Sequence, residues 1–204
     1  MQGRYAQRKR VIIIAVIIAA AILLGFLVDL VWGAIEKALH PTDFASYIRE
    51  YAYEYNVPEP IIYAVIKVES GFDVRATSSV GARGLMQMMP ETFAELTSDA
   101  YLGDNLHPDE LYNPEVSIKY GTFYLSYLYS YFEHNWDNAL AAYNGGMGNV
   151  SKWLANPEYS DLQGNLTYIP FEETRNYVRK VKNEIENYKK LYYQDKEEVK
   201  NYEQ

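Results

Sequence analysis

No cysteine occurs among the 204 residues. That excludes a disulfide framework, a thiolate metal site, a cysteine nucleophile and a lipidated N-terminal cysteine. Basic residues are too few for a nucleic-acid partner: 19 Lys and Arg stand against 27 Asp and Glu, a net charge of −8, the wrong sign for a phosphate backbone. Histidine is scarce as well. His40, His107 and His134 are scattered without metal-ligand spacing, so they read as surface residues and no metal is expected. Sustained period-two alternation is missing, which predicts an all-α fold. With no internal repeat and no long linker, the length allows one compact domain and an accessory segment.

What is present is unevenly distributed. Hydrophobic residues make up 49% of the chain and tyrosine alone contributes 21 positions, ample for a core and well above ordinary tyrosine usage. Val11 to Val28 reads VIIIAVIIAAAILLGFLV without a charge, a run of about 27 Å as a helix, close to bilayer thickness. Arg4, Arg8, Lys9 and Arg10 precede it and residues 1–28 contain no acid. The positive-inside rule then places the N-terminus in the cytoplasm and the rest outside. A cleaved signal peptide has a shorter apolar core followed by a small-residue site, whereas Asp29-Leu30-Val31-Trp32 follows here. The expected organisation is a cytoplasmic basic tail at 1–10, a single-pass transmembrane anchor at 11–32 and a spacer at 33–41. The domain at 42–204 would lie on the extracytoplasmic side.

Residues 29–204 hold 15 of the basic and all 27 of the acidic side chains, a net of −12. A domain this acidic cannot grip anionic polymers through charge; a polysaccharide would be held by hydrogen bonds and aromatic faces. Helical spacing predicts elements at Asp43–Tyr55 with Thr42 as N-cap, and at Ile61–Ser70 ended by Gly71. Short pieces are expected at Leu85–Met89 and Pro90–Leu96. Longer helices follow from Asn113-Pro114 to Phe132, at Trp136–Tyr143, and from Phe171 to near Glu197. The charged tail from Lys182 reads as a solvated, fraying helix.

One carboxyl is out of place. Glu69 shares a helix face with Ile62, Val65 and Ile66, and it sits in a last turn, where the dipole disfavours negative charge. Both influences raise its pKa, towards a group that keeps its proton near neutrality. A general acid needs that property; the structural alternative is a carboxylate that caps loop amides from Phe72 onward. Further on, GARGLMQMMP at 81–90 combines glycines that admit a ligand to the backbone, an amide at Gln87 and adaptable methionines. AAYNGG at 141–146 sets a phenol and an amide beside a glycine turn. Taken singly, each is also ordinary core or turn.

In this order, Glu69-Ser70-Gly71-Phe72, GARGLMQMMP, AAYNGG and IPFEETRNYV at 169–178 resemble the family 1 lytic transglycosylases, of the soluble lytic murein transglycosylase type. The resemblance covers about Pro60 to Val181 and implies a lysozyme-like helical domain. It implies cleavage of the β-1,4 bond between N-acetylmuramic acid and N-acetylglucosamine in peptidoglycan glycan strands. No water is consumed, 1,6-anhydro ends result, and no cofactor is needed. Position by position, it makes Glu69 the catalytic acid and base, with Ser70 orienting the acid or the muramoyl acetamido group. Ser78, Gln87 and Met89 would line the sugar cleft, and Tyr143 and Asn144 would flank the scissile bond. Glu173 would point towards the peptide stem, with Tyr177 as the aromatic of the last motif. Two departures stand out: Asp73-Val74 where Asn-Pro is common, and Gly145 where Ala is usual.

A single carboxyl suits a reaction in which the substrate's acetamido group replaces a second carboxylate, since hydrolytic glycosidases normally need two. A hydrolytic muramidase recruiting Asp73 or Glu91, and a silent glycan-binding scaffold, are the alternatives. Most of Tyr120, Tyr124, Tyr127 and Tyr131 read as core and groove edge, with a few able to stack on pyranose faces. Protein partners leave no trace in the sequence.

Overall fold

The computed structural model describes residues 2–193, and the end of the last predicted helix, near Glu197, lies outside them. The chain divides into two compact units, Met1–Pro41 and Thr42–Gln204. The first is a single helix, α1 (Gln2–Leu39), which continues through the expected spacer. Its stretch Val16–Leu39 is long and apolar enough to cross a membrane. Ile17, Leu23 and Phe26 are more than half exposed, so nothing in the unit covers this apolar surface.

The regular elements described in the second unit are all helices: α2 (Ala45–Tyr55), α3 (Glu59–Glu69), α4 (Pro90–Thr97), α5 (Pro114–Tyr131), α6 (Trp136–Gly145), α7 (Met147–Leu154) and α8 (Glu172–Tyr192), with a 3₁₀ turn at Pro108–Tyr112. Among the described residues the only β pairing is in isolated bridges. Proline opens several helices at the position where its missing N–H costs nothing: Pro60 in α3, Pro90 in α4 and Pro114 in α5. Asn113 caps α5 by accepting from the Glu115 amide at 3.1 Å, and Asn135 caps α6 by accepting from the Asn138 amide at 3.1 Å, each satisfying an orphan donor.

α3 is the central element. Every residue from Pro60 to Ile66 is buried, so it is enclosed on all sides and not only along one stripe. α8 covers it with Tyr177, Val178, Val181, Ile185 and Tyr188, an i, i+4 pattern along one face. The rings of Tyr63 and Tyr188 stack at 5.1 Å. The first part of the supposed solvated tail is therefore core. Its many Lys and Glu mark only the outer face of an amphipathic helix. α5 and α6 close the same core, and a second cluster of Met88, Phe93, Leu96, Leu111 and Tyr120 sits beneath α4.

Three local expectations fail for identifiable reasons. Thr42 does not cap α2; Phe44 occupies that position in the left-handed region (φ 62°) with no side-chain cap. Leu85–Met89 is not helical, because Arg83 and Met88 pair across it as an antiparallel bridge and close a tight turn. Asn144 and Gly145 do not end α6 but complete its last turn; Gly146, at φ 85°, makes the break and α7 begins directly after it.

Candidate active site

Glu69 is the last residue of α3 and is half-buried. Its carboxyl is pushed up from 4.5 to about 7, first by burial. The Tyr177 hydroxyl works against that rise by favouring the anion, and the nearby Glu173 carboxylate adds to it by repulsion. The Tyr177 oxygen is buried and completes no hydrogen bond of full geometry. It is turned to Glu69 as the donor that favours the carboxylate form.

Two helices supply these neighbours. Tyr177 and Glu173 come from the start of α8 and Tyr143 from the end of α6. Both phenols are held well above their ordinary pKa by burial and by the charge of Glu69, so near neutrality they remain protonated and cannot act as bases. Glu173 is exposed in the first turn of α8, where the helix N-terminus favours an acid. It is the second carboxylate that acts on Glu69. Asp73 and Glu91 are exposed, and the Asp73 carboxylate accepts from the Arg75 amide at 2.8 Å in a local turn.

The turn 83–88 closes the site from the other side and is anchored at many points. Arg83 N donates to Met88 O at 3.0 Å and Gly84 N to Ala76 O at 3.0 Å. Met86 N donates to Ser117 Oγ at 3.2 Å. Gly84 is required here: at φ 73°, a Cβ would run into the Leu111 carbonyl. Ser70 Oγ donates to Leu85 O at 2.8 Å and accepts from Phe72 N at 3.2 Å, tying the end of α3 to this turn. Tyr143 Oη donates to Met86 O at 2.8 Å. Gln87, itself in the left-handed region (φ 48°), gives both Nε2 hydrogens to backbone, to Gly84 O at 2.9 Å and Ala76 O at 3.1 Å. That fixes which way its amide points and leaves Oε1 as the acceptor a ligand would meet.

The structure thus brings Glu69, Tyr143, Glu173 and Tyr177 into one electrostatically coupled group, with Ser70 at the end of α3 and Gln87 on the turn beside it. Asn144 is half-buried in the last turn of α6 next to Tyr143. Ser78 and Met89 lie at the outer ends of the loop. Ser78 Oγ accepts from the Ala82 amide at 3.0 Å, Met89 caps α4 with its backbone, and neither is coupled to Glu69. Sequence reasoning passed over Ser117, whose hydroxyl reaches the turn from a helix 31 positions away; an isolated serine at a helix start carries no signal. Gly145 has a packing reason, since a Cβ there would stand 2.9 Å from Thr174 Oγ1 and 3.3 Å from the Trp153 ring. Among the described residues no three His, Asp or Glu side chains converge as metal ligands.

Residues 46–163 match the family model described as the transglycosylase SLT domain. The chain is 34% identical over 151 residues to the soluble lytic murein transglycosylase of Escherichia coli K12, covering 74% of this chain and 23% of that protein. It is 31% identical over 182 residues to the membrane-bound lytic murein transglycosylase C of Actinobacillus pleuropneumoniae serotype 5b, covering 79% of this chain and 49% of that one. Among solved structures, the 70 kDa soluble lytic transglycosylase of Escherichia coli superposes with a TM-score of 0.68 at 33% identity, over 74% of this chain and 25% of that chain. An inactive mutant of the lytic transglycosylase Slt of Pseudomonas aeruginosa gives 0.66 at 34% identity, with the same coverage. The chain spans about a quarter of the length of these soluble relatives.

Proposed function

From the premise that the chain belongs to the transglycosylase SLT domain family, we propose that it is a lytic transglycosylase of peptidoglycan that cuts the MurNAc-β-1,4-GlcNAc bond without water. The observation that carries this reading is the state of Glu69: a half-buried carboxyl with its pKa pushed up to about 7, protonated in a large fraction of molecules at neutral pH. Glu69 gives its proton to the glycosidic oxygen as that bond to C1 breaks. The carbonyl oxygen of the substrate's 2-acetamido group stabilises C1 from the opposite face. Glu69, now anionic, takes the proton of the C6 hydroxyl, whose oxygen bonds to C1 and closes the 1,6-anhydro ring. The nucleophile is already part of the substrate, so it attacks at high effective molarity.

The remaining roles follow from what each side chain has left to offer. Gln87 Oε1 and Asn144 serve the acetamido group and ring hydroxyls. Ser70 and Tyr143 act as positioning residues, because their hydroxyls already hold the 83–88 turn. Ser78 and Met89 line the cleft at its outer ends, and Tyr177 donates to Glu69 once it becomes an anion. Glu173, exposed at the rim, is oriented to the peptide stem.

α1 anchors the enzyme in the membrane as a single pass, with the basic N-terminus in the cytoplasm and the domain on the wall side. Protease added to spheroplasts should digest the domain while the membrane is still sealed; protection lost only on permeabilising the membrane would reverse the orientation.

The hydrolytic reading is favoured by one observation, the second carboxylate of Glu173 acting on Glu69, in place of Asp73 or Glu91. Mass spectrometry of digested sacculi separates the two. Anhydro ends lie one water below reducing ends; a digest made only of reducing ends would assign the chain to the muramidases. A folded chain that binds sacculi and releases nothing would make it a scaffold.

A further inference from the structure

Three tyrosines on one face of α5 follow one another at i, i+3 and i+7: Tyr124, Tyr127 and Tyr131. The Tyr124 ring lies 5.6 Å from that of Tyr143, whose phenol senses the charge of Glu69. Tyr124 and Tyr127 stack at 6.4 Å with planes 11° apart, and Tyr127 and Tyr131 follow at 6.3 Å and 30°. Tyr101, from the loop after α4, stands edge-on to Tyr127 at 5.8 Å. Ring contacts thus run without a gap from Tyr143, beside Glu69, to the far end of α5, where Tyr124 and Tyr127 are half-buried and Tyr131 is 51% exposed.

Tyr127 packs in part against the core, whereas Tyr131 at the outer end is exposed. α5 already buries Ile118, Leu125 and Leu128, and a tyrosine as exposed as Tyr131 gains little from hydrophobic burial. A row of flat apolar rings with phenol tips suits a ligand that presents alternating apolar faces and hydroxyls. It does not suit an anionic polymer, because Glu95 is the charged group that acts on Tyr124 and Tyr127 and the domain as a whole is acidic.

We propose that Tyr127 and Tyr131, flanked by Tyr101, form a platform for the glycan strand remote from the scissile bond, which gives this chain a preference for long strands over short ones. The proposal rests on the glycan substrate of the proposed function and adds where the strand runs beyond the cleavage site. Its occupant is the strand held at Glu69, because the rings join that site without a break.

The test compares kcat/KM of the full chain in detergent micelles on a peptidoglycan tetrasaccharide and on long uncrosslinked glycan strands. Tyr131→Ala and Tyr127→Leu should each lower the ratio of long-strand to tetrasaccharide kcat/KM by roughly three- to tenfold, chiefly through the long-strand KM. Tyr131→Trp, which keeps a flat ring, should restore the ratio. An unchanged ratio in both alanine and leucine variants overturns the platform, as does an equal loss on both substrates accompanied by a lower Tm, the mark of a structural role. Co-sedimentation with sacculi separates this from the proposed chemistry. A wild-type chain that cleaves neither substrate yet loses sedimentation on Tyr131→Ala keeps the platform and sinks the lytic reading.

Discussion

The Tyr143 hydroxyl donates a 2.8 Å hydrogen bond to the carbonyl of Met86, joining the end of α6 to the turn that carries Gln87. This phenol ties α6 to the turn, and its hydrogen is committed to that bond. Tyr143→Phe should therefore lower stability by about 1–2 kcal/mol, because it leaves a buried carbonyl without its donor. Activity should fall mainly through a looser turn, with kcat reduced more than substrate affinity. Thermal unfolding and steady-state kinetics on the same preparation check both. A variant with unchanged Tm and a raised KM alone would return the hydroxyl to the substrate.

Glu69→Gln should abolish cleavage while retaining glycan binding, and it should make the protein more stable at alkaline pH. The folded-state pKa is raised to about 7 from 4.5. The acid's contribution is thus intact below the unfolded value and lost as pH rises through 7, where burial penalises the anion. Glutamine has no anion to bury. The gain should be at most about 3 kcal/mol at pH 8 and vanish towards pH 4. Denaturant midpoints of the two proteins at both pH values read it out.

The two groups that oppose each other at Glu69 give opposite kinetic shifts. With the acid form required, kcat/KM should fall about tenfold per pH unit above the Glu69 pKa. Tyr177→Phe removes the donor that favours the anion, so the alkaline limb should move to higher pH. Glu173→Gln removes a repelling charge, so the limb should move to lower pH. Matching shifts in the same direction would mean that neither acts on Glu69 as described.

Ser70→Ala should cost about 1–2 kcal/mol, since its hydroxyl serves both Leu85 O and Phe72 N. The change should also slow cleavage by loosening α3 from the turn. Hydrogen exchange of the amides at 83–88 should quicken in the variant, and unchanged protection there would remove the tether.

Gly145→Ala is a test of packing. Alanine favours a helix by about 1 kcal/mol, but here its Cβ would stand 2.9 Å from Thr174 Oγ1. Overpacking of this kind costs about 1–3 kcal/mol, so the single variant should be destabilised. Thr174→Ala in the same chain should recover most of that loss, giving a coupling of about 1 kcal/mol or more in a double-mutant cycle. Additive effects would mean that the two helices have room to part.

Much of this protein could be read along the chain because the signals are local. The uncharged run of α1, the prolines that open α3, α4 and α5, and the placement of Glu69 at a helix end among apolar neighbours depend on residues within a turn or two of each other. The four motif blocks likewise identify the family without any coordinates. What local pattern could not supply is partnership across the chain. The bridge between Arg83 and Met88 overrides helical spacing at Leu85–Met89. Tyr143, Glu173 and Tyr177 reach Glu69 from positions 74, 104 and 108 residues further along the chain, and Gly145 answers to Thr174. Even the charged tail changes meaning, since its buried face exists only when α3 lies against it. The sequence by itself determined which carboxyl sits among apolar neighbours at a helix end, and where most of the helices lie. The tertiary structure decided which second carboxylate acts on it, which hydroxyls are already engaged, and which tyrosines stay exposed. Burial and through-space charge are properties of neighbours, and neighbours are set by packing.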